Sequence, residues 1–140
     1  MKIVRVMILV LLTFLTVGCT GKKTEILADE SENITDCVSS IDSNGDLQLT
    51  IIANRYEIAD KEEFAKELIK KVCDNSFKTI RFSYDENGYP LGLYISVYLN
   101  EGDWKDREIE PYMSVSFRQD NIVDGYNIVD NYEKFSLKID

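Results

Sequence analysis

The strongest constraint on the fold is an alternation of apolar and polar residues that recurs in five short stretches. Leu47, Leu49, Ile51 and Ala53 alternate with more polar neighbours, and so do Ile80, Phe82 and Tyr84. The same holds for Leu91, Leu93, Ile95, Val97 and Leu99, for Met113, Val115 and Phe117, and for Phe135, Leu137 and Ile139. A period of two gives a strand one buried and one wet face, so the pattern predicts five half-buried strands. Ile34 to Ile41 adds a candidate edge strand whose facing the alternation does not fix. Asp42-Ser43-Asn44-Gly45-Asp46 and Asp85-Glu86-Asn87-Gly88 are turn clusters between strand candidates and predict hairpins.

One stretch has the other period. Phe64, Ala65, Leu68, Ile69, Val72 and Cys73 recur at helical spacing and form a single apolar stripe. Asp60 followed by Glu63 makes a capping-box-like start, and Glu62 and Glu63 face the positive end of the helix dipole. Glu62–Lys66 and Glu67–Lys71 are four apart in the favourable order, and Asn75 is a suitable left-handed stop. The spacing predicts a helix over 61–74. Together these patterns predict an α+β fold, an antiparallel sheet of about five strands packed on one amphipathic helix.

Composition narrows the function classes. The chain has 140 residues, 44% of them hydrophobic, which suits one small domain with its own core. It contains no His, which removes the commonest general base and both the Ser-His-Asp and Cys-His arrangements. Sixteen basic and 25 acidic residues give a net charge of −9, and such a chain is repelled by nucleic acid phosphates. No Gly-rich phosphate loop and no Ser-x-x-Lys motif is present.

Residues 1–19 differ from the rest. Lys2 and Arg5 form a positive n-region, and Val6 to Val17 is an uncharged apolar run of 12 residues. A bilayer-spanning helix needs roughly 20 residues, so the run reads as a secretory signal. It ends in Leu15-Thr16-Val17-Gly18-Cys19, followed by polar Thr20-Gly21-Lys22-Lys23. This resembles the lipobox of bacterial lipoproteins, with Thr16 where that family usually carries Leu. The resemblance implies a diacylglyceryl group on the Cys19 thiol, cleavage just before it, and location at the extracytoplasmic face of the cell membrane. Each buried methylene contributes about 0.8 kcal/mol, and two chains hold a protein that one holds only marginally. Loss of residues 1–18 removes Lys2 and Arg5 and leaves 14 basic against 25 acidic residues, net −11. Anionic headgroups repel such a body, so the anchor would hold it. Residues 19–33 read as a polar, flexible tether with a reach of about 20 Å, which leaves 34–140 as the domain.

Few residues are placed to carry chemistry. With Cys19 lipidated, Cys37 and Cys73 are the two remaining thiols of an exported chain, which permits a disulfide; Cys73 also lies on the apolar stripe, where packing explains it. Asp42-Ser43-Asn44-Gly45-Asp46 resembles the opening of a calcium loop, but Leu47 and Ala53 stand where an EF-hand needs Gly and a carboxylate, so a turn is expected. Asn121-Ile122-Val123-Asp124 recurs as Asn127-Ile128-Val129-Asp130; the segment 120–131 could converge oxygen ligands on a cation, though turn chemistry explains it more simply. No metal or cofactor is assigned. The best functional signal is aromatic. If Leu91 to Leu99 point inward, Tyr94 and Tyr98 point outward, Tyr112 lies on the outward register of the next strand, and Arg81 projects from the preceding one. Tyr and Arg on a flat face bury much area at low entropic cost. Trp104, in the polar loop Glu101-Gly102-Asp103-Trp104-Lys105-Asp106, is a further candidate. The expected function is a non-catalytic binding module with a protein or cell-wall partner, against an accessory subunit of a membrane complex or a two-carboxylate glycan hydrolase.

Overall fold

The computed structural model describes residues 34–140; the expected signal peptide, Cys19 and the tether lie outside the described residues. Five strands form one sheet in the order β1-β2-β3-β4-β5: β1 Asp36–Ser43, β2 Asp46–Ile52, β3 Gly92–Tyr98, β4 Met113–Gln119 and β5 Phe135–Ile139. Among the described residues three helices accompany them, α1 Lys61–Cys73, α2 Tyr84–Asn87 and α3 Glu101–Lys105, with a 3₁₀ turn at Tyr132–Lys134. The fold is α+β with a mixed sheet. The β1–β2, β3–β4 and β4–β5 pairs are antiparallel, but β2 and β3 run parallel. This corrects the expectation of a fully antiparallel sheet.

The reason lies between β2 and β3. Parallel neighbours cannot be joined by a hairpin and need a crossover, which here consists of α1 and the segment after it. Ile80, Phe82 and Tyr84 therefore do not form the expected strand. The Asn75 side chain takes the place of a strand partner: its amide donates to the Phe82 carbonyl at 2.7 Å, and its oxygen accepts from the Phe82 N–H at 2.8 Å. The aromatic rings find one another instead, Phe82 stacking on Tyr84 at 5.5 Å and meeting Phe77 edge-on at 6.3 Å. The Asp85–Gly88 cluster closes the short helix α2, with Gly88 at φ 74°, rather than a hairpin. The Ile34–Ile41 candidate supplies β1 in place of the expected strand; it begins at Asp36 and carries a bulge between Cys37 and Ser39.

Where local chemistry was decisive the elements form as read. Asn44 (φ 56°) and Gly45 (φ 86°) make the two-residue turn of the β1–β2 hairpin; the Gly45 N–H donates to the Asp42 carboxylate at 3.1 Å. Asp60 caps α1 by accepting from the Glu63 N–H at 2.9 Å. The alternation assigns the two sides of the sheet. Leu47, Leu49 and Ile51 of β2, Leu93, Ile95 and Val97 of β3, and Met113, Val115 and Phe117 of β4 are all buried. They share one apolar cluster with Phe64, Leu68, Ile69 and Val72 of α1. Their intervening residues make up the open side.

Candidate functional site

The open side is built by strand register. Cross-strand pairing aligns Ser39 with Thr50, Thr50 with Ser96 and Ser96 with Ser114. Four hydroxyls thus cross four strands in one row, about 14 Å long at roughly 4.8 Å per strand. The adjacent row places Ile41, Gln48, Tyr94, Ser116 and Lys138 side by side. Tyr94 and Tyr98 both stand on this side of β3, flanking Ser96, about 13 Å apart along the strand. Tyr94 is 36% exposed and Tyr98 half-buried.

Arg118 of β4 organises one end of the face. Its guanidinium carbon lies 5.1 Å from the centre of the Tyr94 ring, a cation–π distance, and its Nη2 reaches the Asp46 carboxylate at 3.4 Å. Asp46 and Arg118 belong to strands on opposite sides of β3, and Gly92 lies between them. A Cβ at Gly92 would stand 2.6 Å from Asp46 Oδ1, so a larger residue there would push the Asp46 carboxylate out of its present position. Asp46 and Arg118 also line a depression of about 210 Å³ with Leu91, Ile122, Val123 and Tyr126, of which Leu91 and Ile122 are exposed.

The other residues singled out from sequence separate from this pair. Arg81 is on no strand: its guanidinium donates to the Asn75 carbonyl at the end of α1, and it shares a depression with Asp42 and Leu47, residues of the buried side. Arg118, which the sequence reading passes over, takes the place beside the tyrosines that the expected strand would have given Arg81; its outward register after Phe117 is the one sequence signal for it. Tyr112 precedes β4, donates its N–H to the Val97 carbonyl at 2.8 Å, and has the Lys61 ammonium 4.9 Å from its ring centre. Trp104 is half-buried on α3, a helix capped by Asn100 and lying against β3.

Both described cysteines are free thiols. Burial pushes Cys37 up to about 11, and its Sγ donates to the Ser39 carbonyl at 3.3 Å; burial also raises Cys73 and Tyr84 above their usual ranges. Such thiols are poor nucleophiles near neutral pH. Among the described residues no group of three metal-ligating side chains converges, and Thr35 alone among polar residues is buried. The echoed tetrapeptides diverge. Asn127 folds its own segment, accepting from the N–H groups of Val129 and Asp130 at 3.0 and 2.8 Å, which sets Ile128 in the core, whereas Ile122 is 77% exposed. No helix among the described residues is long and apolar enough to cross a membrane. No family model matches the chain, and comparisons with curated proteins and with solved structures found no match either.

Proposed function

We propose that the chain is a lipid-anchored protein of the extracytoplasmic membrane face whose 34–140 domain is a non-catalytic binding module. The Cys19 motif supports the anchor, and the open sheet side supports the binding role. In this reading the domain is one amphipathic helix packed on a five-stranded sheet, with α1 covering the apolar side and leaving the other side for a partner. The observation that carries it is Tyr94 held by Arg118 on an otherwise flat polar face.

The test is crosslinking on cells that express the full chain. Tyr94→Ala with Tyr98→Ala is expected to abolish capture of the partner while membrane fractionation stays unchanged. Cys19→Ala is expected to release the protein from the membrane fraction and to block maturation. Capture unaltered by the tyrosine pair, with a large loss of thermal stability, would make them packing residues and overturn the reading.

A further inference from the structure

The composition of the open face identifies the kind of partner. Protein interfaces concentrate aromatic residues, Met and Arg in an apolar core and are depleted in Ser. The centre of this face has the opposite character: the row Ser39, Thr50, Ser96 and Ser114 runs through its middle. Of the apolar residues on this side, Ile52 is buried, and Val38, half-buried at the bulge, and Ile41 stand on the edge strand. A protein partner would have little apolar surface to cover here.

Charge points the same way. In a chain that is 29% charged with a net charge of −9, the two central rows, from Ser39 through Ser114 to Asp140 and from Ile41 to Lys138, hold two ionised side chains, Asp140 and Lys138, of opposite sign and both at the β5 edge. Arg118 is matched by Asp46 beyond them. An anionic polymer would meet a repelling body, and a cationic one would find a single acid in those two rows, Asp140, beside Lys138 at the edge. The complementary ligand is uncharged, extended, and rich in hydrogen-bonding groups.

We infer that this face binds a neutral glycan, a proposal that rests on the reading of the face as a binding surface. The serine and threonine hydroxyls each donate and accept, as sugar hydroxyls do, and Gln48 adds an amide. Tyr94 and Tyr98 offer ring faces to the C–H surfaces of sugar rings, one at each side of the hydroxyl row. Their spacing of about 13 Å exceeds one pyranose ring, so both are engaged only by an oligosaccharide. Arg118 fixes the Tyr94 ring and keeps further N–H donors for the ligand.

Calorimetric titration of the detergent-solubilised full chain with chitotetraose, cellotetraose and a hyaluronan tetrasaccharide tests this. Saturable binding of a neutral tetrasaccharide is expected, with the matching monosaccharide and the anionic tetrasaccharide at least tenfold weaker. Tyr94→Ala is expected to weaken binding about tenfold, equivalent to 1.4 kcal/mol. Ser114→Glu, at an exposed position, is expected to do the same without shifting the melting temperature. Tyr98→Phe separates loss of a half-buried ring from loss of its hydroxyl and is expected to retain binding. Failure of both neutral tetrasaccharides to saturate, or binding that survives Tyr94→Ala and Ser114→Glu, overturns the inference. If a photocrosslinker at Ser96 then captures a protein on cells, the glycan is wrong and the binding face stands; if it captures nothing, both fall.

Discussion

Two identical tetrapeptides with opposite fates offer a controlled perturbation. Ile128 is fully buried in the core, and its N–H donates to the Pro90 carbonyl at 3.0 Å; Ile122, in the first copy, is 77% exposed. Replacing Ile128 by Ala removes three buried carbons and leaves a cavity, a change that costs roughly 2–5 kcal/mol at such sites. Taking about 3 kcal/mol and 4–8 °C per kcal/mol for a domain near 100 residues, the melting temperature should fall by roughly 12–24 °C. That is a large part of the 5–15 kcal/mol typical of a whole domain. Ile122→Ala removes the same atoms from water and should stay within about 0.5 kcal/mol. Circular dichroism melts and urea titrations measure both, and the Ile128→Ala midpoint should fall with the slope preserved. Equal shifts for the two variants, or an Ile128→Ala melt indistinguishable from the parent, would refute the docking of this segment.

Alkaline pH probes the buried thiol. Cys37 keeps its proton up to about 11 in the fold, mainly through burial, against 9.0 ordinarily. The unfolded chain therefore loses that proton first, and stability should decline as pH rises from 9 to 11, by about 2–3 kcal/mol. Cys37→Ala should flatten the Cys37 part of that decline in urea titrations, while Tyr84, also raised by burial, sustains a decline above pH 10; an unchanged pH profile would show that Cys37 ionises as readily in the fold as outside it. At the β1–β2 turn, Gly45→Ala sets a Cβ at φ +86° and 2.7 Å from Leu91 Cδ1. A loss of about 1–3 kcal/mol is expected, and Leu91→Ala in the same chain should restore the contact part of it. Strict additivity of the two changes would exclude that contact.

The elements most legible in the sequence are those whose specification is local. The Asn44-Gly45 turn needs two positive φ angles, and the dipeptide supplies them wherever the hairpin lies. The α1 stripe and its Asp60 cap are one continuous signal. The inward and outward positions of β2, β3 and β4 follow from alternation alone, which puts Tyr94 and Tyr98 on one face.

Partner choice is not local. Ile80, Phe82 and Tyr84 carry the same alternation as true strands, yet Asn75 satisfies the Phe82 backbone from the end of α1, and β3 pairs with β2 directly. The residue numbers cannot say which neighbour a strand edge will take, because the competing pairings expose the same side chains to the same period. Only the tertiary arrangement set β2 and β3 parallel, moved Arg81 away from the open side, and brought Asp46, Gly92 and Arg118 together across three strands. It also decided that one Asn-Ile-Val-Asp copy belongs to the core and the other to solvent. The sequence determined which side chains each strand would bury. Long-range packing decided which strands would meet.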